Sequence, residues 1–266
     1  MKIAFIGGGA MGEVMLSAIL DNKLTLPKDT TVSDIADARR HHLESQYGVA
    51  VTGYNRRAIE RADVVVLAVK PQNLDEVMTE LGGRLKKGQL VLSIIAGARI
   101  DTLSRGLKHG PIVRAMPNTP ARIGEGMSVW TAAQAVSPQQ RQWSSSILRT
   151  MGREIFVEDE EYIDMATAVS GSGPAYVFLM IESLVEAALH IGLPRNIAEE
   201  LVLQTVIGAA HFAQKSDKSP AELREMVTSP GGTTAAALQK LAEGNFSELL
   251  KQAITAAFNR ARELGI

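Results

Sequence analysis

Gly7, Gly9 and Gly12 are spaced as GxGxxG, directly after the apolar run 2–6 and at the head of a helical pattern over 10–22. That strand-then-helix context is what the motif needs to hold a dinucleotide. The first glycine allows a tight turn, the second lets a pyrophosphate reach the backbone, and the third lets helix and strand pack closely. Free N–H groups at the helix start then face the phosphates. Asp34 stands 22 residues after Gly12, where an acid binds the adenosine ribose 2′-hydroxyl and disfavours a 2′-phosphate. Arg39, Arg40, His41 and His42 follow, and either reach such a phosphate or form a solvated helix face. The two hints conflict.

Two further turns line up with this one. Ala68, Val69, Lys70 and Pro71 follow the long apolar run 62–69, and residues 93–97 follow the next such run. Ligands of doubly wound sheets bind at the carboxyl ends of strands, so both turns are expected at a cofactor cleft. Lys70 is either a catalytic base or a helix-entry residue whose backbone matters more than its amine; the second reading is the stronger. Far along the chain, Ser229, Pro230, Gly231, Gly232, Thr233 and Thr234 separate two helical patterns. Two glycines there permit a nest of backbone N–H groups, and the hydroxyls add donors. Such a loop is either a site for a small carboxylate or an ordinary glycine-rich connection.

Absent residues narrow the chemistry. There is no cysteine, and the five histidines (His41, His42, His109, His190, His211) show no zinc-binding spacing, so no metal is expected. No GxSxG elbow or Walker loop is present. No lysine occurs from Gly171 to Gln214, whereas β-hydroxyacid dehydrogenases with a similar N-terminal motif place a catalytic lysine on the corresponding helix. Reducing a ketone needs a proton donor for the developing alkoxide. A protonated imine already carries its activating charge. Dinucleotide turn, anion nest and missing strong acid together favour C=N reduction of a small carboxylate over a hydroxyacid reductase or a non-enzymatic scaffold.

The elements that position these residues follow from pattern. Strands are expected at 2–6, Thr30–Ser33, 49–51, 62–69, 89–96 and 111–116, with an edge strand at 154–157. Alternation with helices gives βαβ units and a mainly parallel sheet. Ser137, Pro138 and Gln140 form a capping box, as do Ser219, Pro220 and Glu222, and Asn245 with Glu248 is a third candidate. Beyond about residue 160 the strand signal stops, and helices are expected over 173–192, 194–214, 220–227, 232–242 and Phe246–Leu264. The fold class is therefore α/β, a doubly wound sheet over 1–159 followed by an all-α domain over 160–266. Two of the helices are apolar on nearly every side, through Val177, Phe178, Leu179, Met180 and Leu184 on one and Leu201, Val202, Leu203 and Ile207 on the next. A helix apolar all round is buried all round. A domain of about a hundred residues has little interior for two of them, so a partner subunit is expected.

Composition agrees with this class. The chain has 266 residues, 45% hydrophobic and 21% charged, with 28 basic against 29 acidic side chains. That balance lacks the basic excess of a nucleic-acid or membrane-surface protein. The N-terminal apolar run ends in glycines after about five residues, unlike a signal peptide. No run approaches the ~20 apolar residues of a membrane helix. A cytoplasmic protein with no membrane or nucleic-acid partner is expected.

Taken together, the chain resembles the pyrroline-5-carboxylate reductases over essentially its whole length. The likeness is carried by FIGGGAMG at 5–12, the turn 68–71, RAMPNTP at 114–120, GSGPAY at 171–176 and, most specifically, VTSPGGTTAAALQKL at 227–241. The resemblance implies reduction of 1-pyrroline-5-carboxylate to L-proline, the last step of proline biosynthesis, with NADP as cofactor and NAD as the alternative. It implies cofactor contacts from Ile6, Gly7, Gly8, Gly9, Ala10 and Met11 (with Gly12 of the glycine motif), from Ser33 or Asp34, from Asn55, from Ala68, Val69, Lys70 and Pro71, and from Ala96 and Gly97. It assigns the substrate carboxylate to Ser229, Gly231, Gly232 and Thr233, and the ring nitrogen to the Thr234 hydroxyl as catalytic group. It implies a homodimer, or a higher homo-oligomer of dimers, in which helical domains exchange contacts. Family members often carry Asn, Ser or Arg at the end of the second strand, and Asp34 and Ile35 depart from that.

Overall fold

The structure, a computed structural model, describes residues 1–265. The chain forms two compact units, Met1–Ser172 with the stretch from Ala256 onward, and Gly173–Thr255.

The first unit opens with β1 (Ile3–Ile6), α1 (Ala10–Asp21), β2 (Thr30–Ser33), α2 (Asp37–Tyr47), β3 (Ala50–Thr52) and α3 (Asn55–Ile59). It continues with β4 (Val64–Leu67), α4 (Leu74–Leu81), β5 (Leu90–Ser93), α5 (Ile100–Leu107) and β6 (Ile112–Met116). Then follow β7 (Gly126–Ala132), α6 (Pro138–Arg149), β8 (Gly152–Phe156) and α7 (Glu161–Ala166). The strands form one sheet in the order β3-β2-β1-β4-β5-β6-β7-β8. All pairs are parallel except β6 with β7. Strands β1 (IAFI) and β4 (VVVL) are apolar and buried at every position because both faces are covered. Ile3, Phe5, Val64 and Val66 face one core layer, with Met15, Leu16 and Ile19 of α1. Ala4, Ile6, Val65 and Leu67 face the other, with Leu103 and Leu107 of α5.

The expected strands are present, and the expected edge strand is β8 at the end of the sheet. Strand β7 was not foreseen. It reads GMSVWTA, and its buried Ser128 and Thr131 interrupt the apolar pattern. A short connection returns the chain from β6, through a 3₁₀ turn at Thr119–Ile123 and Gly124 at φ 74°. So short a link permits only an antiparallel neighbour.

The second unit begins with α8 (Gly173–His190), followed by α9 (Arg195–Lys215), α10 (Pro220–Met226) and α11 (Thr233–Glu243); α12 (Phe246–Leu264) ends in the first unit. The capping boxes at Ser137 and Ser219 are both formed. Asn245 is not the expected cap. It adopts φ 53°, whereas an N-cap needs extended backbone to turn its side chain onto the following N–H groups. A π-helical turn, Thr167–Gly171, links α7 to Ser172. The apolar run thereby starts earlier than its sequence pattern suggests. By length and composition alone, Glu161–His190 is the one helix among the described residues that could cross a membrane, and it carries Glu161, Asp164, Glu182 and Glu186 rather than an unbroken apolar run.

Arg114 on β6 is 1% exposed. It donates to Glu160 Oε1 at 2.9 Å and to Asp164 Oδ1 at 2.6 Å, fastening α7 to the sheet. Glu160 Oε1 also accepts the Ile100 N–H of α5 at 2.9 Å. On the opposite side, Glu13 of α1 ties α2 in place. Arg39 donates to it, His42 Nε2 lies 2.8 Å from Oε1, and the Tyr47 hydroxyl donates at 3.0 Å. Burial alone would raise the Glu13 carboxyl, but the hydrogen bonds from Arg39, His42 and Tyr47 outweigh it and hold it at about 2.

Two outcomes follow for stability. Arg114→Met leaves Asp164 buried without its cation, and urea denaturation should show a loss of about 3–5 kcal/mol; a loss under about 1 kcal/mol would show that the ion pair does not secure α7. For Glu13 the native carboxyl lies below its ordinary 4.5, so its stabilisation is complete above that pH and drains away towards pH 2. The melting-temperature gap between wild type and Glu13→Gln should be wide at pH 6 and much narrower at pH 3. An equal gap at both would refute the assignment.

Candidate active site

Strand order reverses beside β1, whose neighbours β2 and β4 leave to opposite sides. The crevice at their carboxyl ends is where doubly wound sheets take ligands. Gly7 sits there at φ 97°, and its N–H donates to the Ser33 carbonyl at 2.8 Å. A Cβ on Gly7 would lie 2.8 Å from the Ala68 carbonyl oxygen, and one on Gly12 would lie 2.6 Å from the Gly7 carbonyl oxygen. Gly9 has open space in the same direction. Each glycine thus meets the need assigned to its place in the motif. Gly9 caps α1, so the N–H groups of Ala10 and Met11 open the helix.

A cavity of about 360 Å³ occupies this crevice. It brings together Gly7, Gly9, Ser33, Asp34, Asn55, Ala68, Val69 and Lys70 of the expected residues. Ile6, Gly8, Ala10, Met11, Gly12 and Pro71 adjoin these in sequence without lining the cavity. Ile6 is fully buried in β1, Gly8 is buried in the turn and Gly12 is buried in the first turn of α1. Ala96 and Gly97 stand apart, in the turn after β5. There Gly97, at φ 78°, packs so closely on the end of α12 that a side chain would collide with the Leu264 carbonyl. The cavity also includes Ile35, noted in the sequence as a departure from the family pattern, and Asn73, Glu76, Val77 and Glu80, which the sequence did not single out. Three of them lie on α4, whose helical periodicity aims one face at the cleft; that periodicity was the available signal.

Asp34 is held from both sides. Its Oδ2 accepts the Gly8 N–H at 2.8 Å, and its Oδ1 accepts the Ala36 N–H at 2.9 Å. Arg39 donates to the Gly8 carbonyl as well as to Glu13. Arg40 donates to the Asp34 carbonyl at 2.7 Å and pairs with Asp37. His42 is bound to Glu13. Asn55 donates its amide to Glu80 at 2.7 Å. Lys70 is exposed at the N-cap of the 3₁₀ turn Pro71–Asn73 with extended backbone, which fits a helix-entry residue.

In the second unit, the loop between α10 and α11 has Gly231 at φ 71°, a left-handed conformation that favours glycine. Gly232 caps α11 with extended backbone, and its N–H donates to the Ser229 carbonyl at 3.0 Å. Thr233 and Thr234 begin α11, so their N–H groups are free of helical partners. Ser229, Gly231 and Thr233 are exposed, while Gly232 and Thr234 are half-buried. A left-handed glycine before a capped helix start is a concave set of donors suited to a carboxylate.

Comparison with known proteins agrees with both halves. The family profile described as "NADP oxidoreductase coenzyme F420-dependent" matches residues 2–97, and "Pyrroline-5-carboxylate reductase dimerisation" matches residues 160–264. The pyrroline-5-carboxylate reductase of Synechocystis sp. is 40% identical over 100% of this chain and 98% of its own. The solved pyrroline-5-carboxylate reductase of Coxiella burnetii has 40% identity and a TM-score of 0.88, covering 100% of this chain and 98% of that one. The Plasmodium falciparum enzyme, solved with NADP bound, has 29% identity and a TM-score of 0.91, with the same coverage. With 40% identity sustained from end to end, a dinucleotide turn at one end and the hydroxyl-rich loop at the other, the chain belongs to the pyrroline-5-carboxylate reductase family.

Proposed function

We propose that the protein reduces 1-pyrroline-5-carboxylate to L-proline with NADPH or NADH, the last step of proline biosynthesis. The observation that carries this reading is the loop 229–234: a left-handed glycine and a capped helix start, flanked by three hydroxyls, in a chain of this family. A dinucleotide scaffold without catalysis has no use for it.

The crevice fits a dinucleotide on its own geometry, because Gly9 leaves space where a Cβ would stand and Gly7 and Gly12 admit no side chain. When bound, the dinucleotide supplies a hydride. Gly7 to Gly12 would hold its pyrophosphate. Ser33 or Asp34 and Asn55 would meet the adenosine. Ala68 to Pro71 and Ala96 with Gly97 would border the remainder.

Ser229, Gly231, Gly232 and Thr233 hold the substrate carboxylate through backbone N–H groups and hydroxyls. The imine carbon is reduced, and the nitrogen takes the π electrons and keeps or takes a proton. Thr234 hydrogen-bonds that nitrogen as the catalytic group. A neutral hydroxyl suffices because the protonated imine carries its own charge, which fits the lack of lysine from Gly171 to Gln214.

The domain assignment in this reading is a dinucleotide-binding domain over 1–159 and a dimerisation and substrate-binding domain over 160–266. The assembly is a homodimer or a higher homo-oligomer of dimers. Its motive is the apolar surface of α8 and α9, where Phe178, Leu179, Met180, Leu184, Leu201 and Leu203 are all exposed in the single chain. Burying such side chains contributes about 1.5–3 kcal/mol each. The partners are this small carboxylate and further copies of the chain, with no nucleic acid and no membrane, and the location is cytoplasmic.

Steady-state turnover of pyrroline-5-carboxylate by the purified protein tests the activity, and its absence with both dinucleotides would refute it. Thr234→Ala should lower turnover about 10–100-fold, the scale of one hydrogen bond to a charged group. Dinucleotide affinity should barely change. A Cβ on Gly232 would collide with Ser229 Oγ, so Gly232→Ala should displace that hydroxyl and raise the substrate KM. Wild-type constants in both variants would remove the loop from the site. For assembly, Met180→Asp or Leu184→Asp should shift the mass in light scattering towards monomer or lower soluble yield; an active wild-type monomer at micromolar concentration would refute the interface.

A further inference from the structure

A second cavity of the first unit lies at the opposite end of the sheet from the dinucleotide crevice. The crevice is at the carboxyl ends of the strands. Helices α3 and α4 run back from it, and the loops that follow them, 60–63 and 82–89, enter β4 and β5 at their amino ends. Between these loops is a cavity of about 550 Å³, lined by Arg56, Glu60, Arg61, Arg84 and Lys86, with Gln89 in its wall. Four cations there face one carboxylate, in a chain whose 28 basic and 29 acidic residues otherwise balance.

The cations stand on a fixed frame. Gln89 is 4% exposed. Its amide donates to the Ile59 and Ala62 carbonyls at 2.6 and 2.8 Å, and its side-chain oxygen accepts the Lys86 N–H at 2.7 Å. One side chain thus locks the loop after α3 to the loop after α4. Gly83 bends the second loop at φ 71°, and its N–H donates to the Leu107 carbonyl at 2.9 Å, which holds the backbone beside Arg84. Lys86 Nζ crosses to the Glu60 carbonyl at 2.6 Å. Arg56 Nε donates to the Glu80 carbonyl at 3.3 Å, while the Glu80 carboxylate takes the Arg56 and Asn55 N–H groups on the crevice side. Among the described residues no carboxylate forms an ion pair with Arg56, Arg61, Arg84 or Lys86. Like charges gathered without counter-charges repel, and a bound anion offsets that repulsion.

The residue types narrow the anion. A guanidinium presents a planar fork that matches a pair of phosphate oxygens. A lone carboxylate or monophosphate cannot meet cations on both loops at once. A chain of linked phosphates carries charge on every unit and can. A nucleic acid needs a basic stripe across a basic domain, whereas this excess is confined to one cavity. We propose that this cavity binds an oligophosphate chain, free or carried by a nucleoside, at a site separate from the dinucleotide crevice.

Calorimetric titration of the full chain with inorganic tripolyphosphate, ATP and orthophosphate, in about 150 mM salt, tests this. Tripolyphosphate should bind at least about tenfold tighter than orthophosphate. Arg61→Ser with Arg84→Ser should weaken it at least about tenfold, with turnover and the KM for NADPH unchanged, because neither arginine lies at the crevice. Equal affinity for ATP and tripolyphosphate would support a free chain as the ligand, and tighter ATP would support a nucleotide. Tripolyphosphate no tighter than orthophosphate would overturn the proposal. So would unchanged binding in the double variant, which would move the anion to the glycine turn, or a duplex oligonucleotide that binds wild type tighter than tripolyphosphate. Phenylglyoxal labelling of wild type, read by mass spectrometry, decides the matter without a variant. Tripolyphosphate should protect Arg61 and Arg84, and equal labelling with and without it would overturn the site.

Discussion

The structure depends on how closely the β1–α1 turn approaches the end of β4. A Cβ on Gly7 would stand 2.8 Å from the Ala68 carbonyl oxygen, and one on Gly12 would stand 2.6 Å from Gly7 itself. No side chain fits either place. That contact seats the first helix against the sheet and aims its free N–H groups into the crevice between β1 and β4. It also leaves backbone, not side chains, exposed to the crevice at that turn.

Much of this architecture was legible in the residues. The apolar runs ending at Ile6, Leu67 and Ser93 mark strands covered on both faces, and the two serine-proline capping boxes mark helix starts because their chemistry is local. The loop at 229–234 was legible for the same reason: a left-handed glycine and a capped helix start need no distant partner. What depended on distant partners was not legible. Strand β7 is set by pairing with β6, and its buried Ser128 and Thr131 hide it from any hydropathy pattern. Asn245 looks like a cap, yet its φ of 53° is set by how the chain turns out of α11. The partners of the arginines of α2 were likewise not legible: Arg39 binds Glu13, 26 residues earlier in the chain, and the Gly8 carbonyl.

Two buried polar side chains inside the first unit join separate segments. Asn118, which follows β6, donates to the Ser170 carbonyl at 3.0 Å and accepts the Met127 N–H at 2.9 Å. One side chain thus links the π-helical turn to the antiparallel strand. The Arg114 cluster does the same for α7 and α5. A buried ion pair gains little over a well-packed apolar substitute. Its contribution here is positional: it admits one seating of α7 on the sheet, because only that seating pairs the charge.

Gly97 carries a consequence for how the molecule is made. The turn after β5 packs against the Leu264 carbonyl so tightly that no side chain fits between them. The chain from Ala256 onward belongs to the first compact unit, although the whole of Gly173–Thr255 intervenes. On a ribosome, the sheet and its early helices emerge long before this segment. The first unit therefore waits, one surface uncovered, while the apolar helices of the second unit are synthesised. Order of synthesis and order of completion are reversed: the unit begun first is finished last.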